Sequence, residues 1–187
     1  MNDGVKGAVG LGNGGQGAGI WPIHLASYSH FMKAEAAMWL GDAATAATLM
    51  EAGMNLAFQK VLAFSSLDPD ADSNYFATAT EVSDFIQLKM DEFNAAPLTS
   101  NLDALGWPVE KDKLDILGEQ YFVAMFGGAN DAWNFIRRTG YPRTLSRGLM
   151  DNVESGPFPR TGTYPSAEIS ANPNILQRQD NLSLIHI

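Results

Sequence analysis

The sequence predicts a mainly α-helical protein, and three observations support that prediction. Apolar residues recur at helical spacing from Ile23 to about residue 142. A Gly-Asp pair at 41–42 combines a signal that ends one helix with a signal that starts the next. After Pro142 the helical period is lost, and five prolines or glycines fall between residues 156 and 165. We therefore expect helical hairpins with an irregular C-terminal segment packed over them.

Residues 4–19 form a glycine-rich segment at the start of the chain. Eight of the chain's 18 glycines lie there, and neither a helical nor a strand period persists. Such a composition is typical of a loop or a flexible lead-in. We expect the loop to end at Trp21-Pro22 and ordered structure to begin at Ile23.

The first two helices are predicted to form an antiparallel hairpin. The first carries apolar residues near one stripe: Leu25, Tyr28, Met32 and Trp39. Gly41 ends it, and the Asp42 carboxylate can accept hydrogen bonds from the free amides that open the second helix. The second repeats apolar residues at spacings of 4, 3, 4 and 3: Met50, Met54, Ala57, Val61 and Phe64. A turn this short makes the helices antiparallel, and small residues such as Ala46 and Gly53 let their axes approach closely.

Three further helices are predicted after a loop at 65–74. The third runs from about residue 76 to 93, with an inward face of Val82, Ile86, Met90 and Phe93. After an irregular connection at 95–110, a fourth runs from about 111 to 126, with an inward face of Leu114, Leu117, Tyr121 and Ala124. Gly127-Gly128 breaks that helix. A short fifth helix carries Trp133 and Ile136 and ends at Gly140 and Pro142.

Aromatic residues within the helical patterns are predicted to belong to the core: Phe31, Trp39, Phe64, Phe85, Tyr121 and Trp133. Trp21 and Trp107 instead lie in loops beside prolines. An exposed loop tryptophan offers a flat apolar face and one donor, which suit it to stack on a sugar ring or to enter a protein interface. It can equally pin its loop to the helices. We therefore carry Trp21 and Trp107 as candidate ligand-binding residues.

Composition excludes several classes of function. The 12 Lys and Arg against 21 Asp and Glu give a net charge of -9, which disfavours nucleic acid and bare anionic lipid as partners. The chain has no cysteine, so it contains no disulfide, no Cys-based zinc site and no lipid-modified cysteine. The longest uncharged stretch, residues 7–32, is interrupted by glycines, two histidines and Pro22, which argues against a membrane span.

Two motif-like patterns lack the context that they need. Residues 10–15 match G-x-G-x-x-G, but no strand precedes them and no helix opens directly after them, so we predict that they bind no nucleotide. We predict no other cofactor. Asp68, Asp70 and Asp72 alternate like the first ligands of an EF-hand loop. However, the sixth position is Ser73 rather than glycine, and the twelfth is an alanine rather than a bidentate glutamate. A solvated turn is favoured there, with a weak calcium site as the alternative.

No constellation of residues argues positively for catalysis. The many acidic residues show no local signature that pairs any two of them. The histidines, His24, His30 and His186, fit neither a nucleophile elbow nor an H-E-x-x-H spacing. We therefore predict that the chain is not an enzyme. A glycoside hydrolase is kept as an alternative, because its two carboxyl groups would be brought together only by the fold.

Two blocks of sequence resemble the SusD/RagB family, whose members are surface lipoproteins of the Gram-negative outer membrane. The first block is EQYFVAMFGGANDAWNFIRRTGYPR (119–143), and the second is FPRTGTYPSAEISANPN (158–174). The segment HFMKAEAAMWLGDAATA (30–46) is similar to the tetratricopeptide-type hairpin of the family, and GIWP (19–22) to the end of the loop before it. The resemblance covers most of residues 19–175 in the right order.

The resemblance implies a set of scaffold residues that mark the fold more than the ligand site: Trp133, Arg137, Arg138, Gly140, Tyr141, Pro142, Arg160, Tyr164, Pro165 and Glu168. Helix geometry adds an expectation about two of them. Arg137 and Arg138 lie about 100° apart on a helix, so one can face inward and pair with a carboxylate while the other stays in water.

The resemblance also implies a function. Such a protein captures a glycan or an oligopeptide at the outer-membrane surface, without catalysis, and delivers it to a TonB-dependent SusC-like transporter. Its membrane attachment would come from a lipid anchor that this chain does not carry. A plain tetratricopeptide interaction scaffold is a further alternative. A tail that does not pack against the fourth and fifth helices would favour it.

We expect one partial SusD-like domain over residues 1–187. It comprises a glycine-rich loop at 1–20, a helical region at 23–142 and an extended or irregular tail at 143–187. Only one clear hairpin is visible, whereas tetratricopeptide-type stacks need several repeats to bury a continuous core. We therefore expect the chain to be the C-terminal portion of a longer protein.

Overall fold

The structure is a computed structural model that describes residues 23–63, 74, 76–104, 107–145 and 170–172. Within them the chain forms five helices: α1 (Ala26–Trp39), α2 (Ala43–Ala63), α3 (Ala79–Ala95), α4 (Lys113–Ala124) and α5 (Ala129–Thr139). These ranges contain no strand, only an isolated antiparallel bridge between Leu102 and Pro108. None of the described helices has both the length and the apolar character of a membrane span. The predicted, mainly helical fold class is confirmed.

The α1–α2 hairpin is built as its sequence predicts. Gly41 adopts a φ of 81°, in the left-handed region that favours glycine. The Oδ1 atom of Asp42 then accepts the Thr45 N–H at 2.9 Å, which satisfies one of the free amides at the start of α2. Deeper in the hairpin, a Cβ atom at Gly53 would lie 3.0 Å from the ring of Phe31. The missing side chain at Gly53 therefore allows α2 to approach the Phe31 ring closely.

The core lies where α1, α2, α4 and α5 meet, and aromatic rings form its centre. Phe31 stacks on Tyr121 with ring centroids 5.2 Å apart and planes 8° from parallel. Phe135 meets Tyr121 edge-on at 4.9 Å. Offset-stacked and edge-to-face pairs contribute about 0.5–1.5 kcal/mol beyond the burial of their area. These contacts join helices that are distant in sequence.

Helix α3 covers the other side of α2 and the start of α4. Its N-terminus carries a capping box, in which Thr78 Oγ1 accepts the Glu81 N–H and the Glu81 carboxylate accepts the Thr78 N–H. The hydrogen bonds from Thr78 lower the pKa of Glu81. The predicted inward residues Ile86, Met90 and Phe93 are buried, so the 3.6-residue period of α3 identified its inner face correctly.

Four residues that were predicted to face the core are substantially exposed instead. Trp39 and Phe85 are 60% and 38% exposed, and Met32 and Val61 are 50% and 60% exposed. At about 100° per residue, Met32 and Trp39 lie roughly a quarter turn from the buried face of α1 that carries Phe31. Helix α2 is longer than α1, so its last turn, with Val61, extends past its partner. The core prediction was wrong at these four positions.

After α5 the chain returns to α4. Gly140 ends α5 with a φ of 75°, as a helix C-terminus favours. Pro142 is buried against Gly118, where an added Cβ atom would lie 3.1 Å from the Pro142 nitrogen. The Tyr141–Pro142 peptide bond is cis, and Leu145 packs against the core. Residues 141–145 thus pack against the helices. Most of the remaining predicted tail, and Phe64, lie outside the described residues.

Candidate functional site

A bidentate ion pair links the first described helix to the last. Glu35 on α1 is buried, and Arg138 lies in the last turn of α5. The Nη1 and Nη2 atoms of Arg138 donate to Oε1 and Oε2 of Glu35 at 2.6 and 2.7 Å. The hydrogen bonds to Glu35 raise the pKa of Arg138. Paired, charge-assisted bonds of this kind fix geometry as well as charge, so they hold α5 against α1.

Trp39 joins this ion pair from the C-terminal end of α1. Its indole Nε1 donates to Oε1 of Glu35 at 3.2 Å, one helical turn away. The buried carboxylate of Glu35 therefore accepts three hydrogen bonds, while the Trp39 residue is 60% exposed. Sequence reasoning missed this role because it assigned Trp39 to the core. The available signal was the i, i+4 spacing of Glu35 and Trp39 on one helix face.

A second buried charge cluster joins the chain after α5 to the start of α4. The carboxylates of Asp112 and Asp115 are fully buried. The Nη2 atom of Arg143 donates to Oδ2 of Asp112 at 2.7 Å and to Oδ2 of Asp115 at 2.5 Å. The backbone N–H of Arg143 also donates to Oδ1 of Asp115 at 2.8 Å. Because buried charges need close partners, this cluster fixes where the chain lies after Pro142.

The same cluster extends to two neighbouring groups. Arg143 donates through Nη1 and Nη2 to the carbonyl and hydroxyl oxygens of Ser100, at 3.1 and 2.9 Å. The hydroxyl of Tyr141 donates to Oδ2 of Asp112 at 3.2 Å. Burial and the charge of Asp112 raise the pKa of Tyr141. Arg143 thus ties the α3–α4 connection, the start of α4 and the segment after α5 into one unit.

Trp107, a predicted ligand-binding residue, lies in that connection between α3 and α4. Its backbone N–H donates to Oδ1 of Asp103 at 2.9 Å, and its carbonyl accepts the Asp103 N–H at 2.7 Å. The bridge between Leu102 and Pro108 closes the loop beside it. The Trp107 residue is half-buried. The backbone of Trp107 is therefore held in place by its two hydrogen bonds with Asp103.

The structure describes only some of the remaining scaffold residues. Trp133 and Arg137 lie on α5 and are half-buried, and Gly140, Tyr141 and Pro142 form the turn after it. The other predicted site residues lie outside the described residues: Trp21, Asp68, Asp70, Asp72, Arg160, Tyr164, Pro165 and Glu168. Within the described ranges, no three His, Asp or Glu side chains are close enough together to hold a metal ion.

An apolar groove of about 290 Å³ opens between α1, α2 and the C-terminal end of α4. Most of its walls are apolar: Leu25, Phe31, Met54, Ala57, Phe58, Val61, Val123, Ala124 and Phe126. Phe126 at its rim is 93% exposed. Apolar surface that is clustered in this way is typical of a place where a ligand, a partner or more polypeptide packs.

One comparison with known proteins identifies the family of the chain and agrees with its mainly helical fold. The chain belongs to the SusD-like family, because the model of the SusD and RagB outer membrane lipoproteins matches residues 21–182. Members of this family bind nutrients at the outer membrane and are generally non-catalytic, and they work with SusC-like transporters. Searches against curated proteins and against solved structures returned no match.

Proposed function

We propose that this chain captures a glycan or an oligopeptide at the surface of the outer membrane and presents it to a SusC-like, TonB-dependent transporter without chemical change. The observation that carries the proposal is the family match over residues 21–182. The bidentate Glu35–Arg138 pair joins two separated parts of that matched region, so both parts belong to one packed domain.

Three buried carboxylates among the described residues are not available for the glycoside hydrolase alternative. A glycosidase needs two carboxyl groups roughly 5–10 Å apart that both reach the substrate in a cleft. Asp112 and Asp115 are neighbours, but both are fully buried and both are bound by Arg143. Glu35 is likewise buried and bound by Arg138 and Trp39. These three side chains stabilise the fold and do not face a substrate.

The segment after α5 weighs against a plain tetratricopeptide scaffold. Such a scaffold would leave this segment unpacked against α4 and α5. Instead, Arg143 binds the two carboxylates at the start of α4, and Thr144 donates to Oε1 of Glu119 at 2.5 Å. Residues 141–145 are therefore part of the packed domain.

For the ligand contact we retain Trp107 and Trp21 as proposed residues. The backbone of Trp107 is held by two hydrogen bonds with Asp103, so little backbone entropy is lost at this residue when a ligand stacks on its ring. Residues on loops that a rigid scaffold positions carry binding more often than residues of the core. We propose that Trp107 contributes one face of the ligand site.

The test is a binding measurement on the 187-residue chain with a glycan array and an oligopeptide library. We expect saturable binding to one of these classes, with the ligand recovered at its original length. Trp107→Ala should weaken that binding on the order of tenfold, as a buried aromatic contact does. Leu98→Ala is the matched control, since Leu98 is 60% exposed in the same connection. Shortened ligand would support the hydrolase, and no binding to either class would contradict the proposal.

A further inference from the structure

We propose that the N-terminus of α1 and the facing turns of α2 bind a phosphate or sulfate group in the cavity between them. The proposed site lies within residues 24–63. It goes beyond the proposed function and does not depend on it. Two independent observations carry it: backbone amides without acceptors at the start of α1, and a buried hydroxyl without a partner in the wall of the cavity.

The start of α1 leaves backbone N–H groups unpaired. Leu25 precedes the helix in an extended conformation, and its side chain provides no cap. Tyr28 and Ser29 both donate their N–H groups to the Leu25 carbonyl, at 3.0 and 3.5 Å. Within the described residues, the N–H groups of Ala26 and Ser27 have no such acceptor. The first turn of α1 contains no acidic residue, so no side chain of that turn balances the partial positive charge of the helix end.

The hydroxyl of Ser27 is the second observation. The Ser27 residue is only 2% exposed, and its Oγ atom has no hydrogen-bond partner among the described residues. A buried hydroxyl without a partner loses its hydrogen bonds to water and gains none in return. Ser27 lies in the wall of the cavity, and a serine hydroxyl can rotate to donate to an acceptor bound there. An oxyanion in the cavity would supply the acceptor that the hydroxyl and the two amides lack.

The cavity has a volume of about 410 Å³ and lies between the start of α1 and the last two turns of α2. Gln59 and Lys60 line it from α2, and His24 lines it from the residues before α1. The amide of Gln59 and the ammonium of Lys60 are hydrogen-bond donors. Lys60 also offsets the partial negative charge at the end of α2. No Asp or Glu is among the described residues that line the cavity, so its walls favour an anion.

These donors fit a tetrahedral oxyanion better than a planar carboxylate. They lie on both helices, and the oxygens of phosphate or sulfate point in four directions, whereas the two oxygens of a carboxylate lie in one plane. The net charge of -9 repels anions at long range, so the affinity has to come from short hydrogen bonds inside the cavity. The cavity is larger than a phosphate ion. It therefore has room for the free ion or for the ester group of a larger molecule.

The experiment titrates the 187-residue chain with inorganic phosphate, sulfate, phenyl phosphate and acetate, at an ionic strength held constant with sodium chloride. Calorimetry measures the affinity, and thermal unfolding measures the shift in Tm, because a ligand that binds only the folded state raises Tm. Ser27→Ala removes the hydroxyl, and Ala26→Asp places a carboxylate at the exposed first residue of α1. The matched controls lie at exposed positions outside the cavity: Ser83→Ala removes a hydroxyl, and Lys33→Met lowers the net charge by one, as Ala26→Asp does.

The expected result is one site for phosphate or sulfate and a higher Tm than in chloride alone. Ser27→Ala should weaken the affinity on the order of tenfold, since it removes a hydrogen bond to a charged group. Ala26→Asp should weaken it at least as much, because its carboxylate repels the anion. Without the anion both variants should be as stable as the wild type, because the Ser27 hydroxyl has no partner to lose and an acidic residue is favourable at a helix N-terminus. Both control variants should bind like the wild type.

The panel also separates the two sources of the group. Tighter binding of phenyl phosphate than of inorganic phosphate would support the site as one for an ester group, and the reverse order would support it as one for the free ion. Binding of acetate alone, or no difference between the oxyanions and chloride, would overturn the proposal. Equal affinity of the wild type, Ser27→Ala and Ala26→Asp would also overturn it, because the anion would then bind elsewhere. None of these results bears on the proposed function, whose test uses glycans and oligopeptides.

Discussion

At the scale of single residues, three buried carboxylates hold the described parts of the chain together. Glu35 is bound by Arg138, and Asp112 and Asp115 are bound by Arg143. A buried carboxylate without its partner keeps the cost of desolvation and loses the compensating attraction. The energetic consequence therefore depends on how well water can replace the missing partner, and the two arginines differ in this respect.

Glu35→Gln should destabilise the protein by about 1–3 kcal/mol. The substitution removes the charge that Arg138 binds, but the Arg138 side chain is 48% exposed, so water compensates part of the loss. Urea denaturation measures the change as a lower midpoint at constant slope. The exposed Glu51 on α2 provides the control. Glu51→Gln should change the free energy of unfolding by no more than about 0.5 kcal/mol, and equal effects of both variants would contradict the assigned role of Glu35.

Arg143→Met should cost more, about 3–5 kcal/mol, because it leaves two fully buried carboxylates without their cation. The Arg143 side chain is only 16% exposed, so little water can reach the gap. The comparison is Lys111→Met, which removes the ion pair of a 45% exposed Lys111 with Glu119. That surface pair should contribute no more than about 1 kcal/mol. If urea denaturation gave the same value for both variants, the Arg143 cluster would not be the structural link that we describe.

Stability should decline in alkali because of Tyr121. Burial, followed by the nearby charges of Asp131 and Glu35, raises the pKa of Tyr121 to about 12, from 10.0. Between these values the unfolded chain has released the proton and the folded chain still holds it, so the free energy of unfolding falls as pH rises. The contribution of protonated Tyr121 to the free energy of unfolding is fully present below pH 10. Tyr121→Phe should flatten this part of the profile in urea denaturation at successive pH values, and a slope equal to that of the wild type would contradict the assignment.

At the scale of helices, the sequence predicted the elements well and their faces less well. The α1–α2 hairpin and the inner face of α3 follow from local signals: the glycine at 41, the cap at Asp42 and the apolar period. Trp39 and Phe85 were wrongly assigned to the core, because the apolar period of a helix does not predict how much of its surface a partner helix covers. The Glu35–Arg138 contact could not be assigned either, since its partners lie 103 residues apart.

Gly53→Ala tests the close approach in the hairpin. Alanine in a helix interior is normally about 1 kcal/mol more favourable than glycine. At Gly53, however, the new Cβ atom would lie 3.0 Å from the Phe31 ring, which is fully buried and stacked on Tyr121. We expect a net loss of about 1 kcal/mol or more in the free energy of unfolding. Asn55→Ala at an exposed position of α2 should instead be neutral or stabilising. An increase in the free energy of unfolding of Gly53→Ala would contradict this expectation and show that the Phe31 ring can move away at little cost.

At the scale of the whole molecule, the fold and the family were predictable and the binding surface was not. The blocks at 119–143 and 158–174 carry the family signal in local sequence, and the family match over 21–182 confirms it. The apolar groove and the exposure of Trp39 depend on which surfaces remain uncovered when α1, α2, α4 and α5 meet. No periodicity within one helix contains that information. The proposed roles of Trp107 and Trp21 remain predictions for the same reason.

The measurement that tests the central claim most directly is chemical cross-linking in outer membranes of cells that produce the protein with its native neighbours, followed by mass spectrometry of the captured complex. The account predicts a cross-linked TonB-dependent transporter of the SusC type, whose yield changes when the nutrient glycan or peptide is supplied. Recovery of the chain without any transporter from outer-membrane fractions would contradict the proposed function.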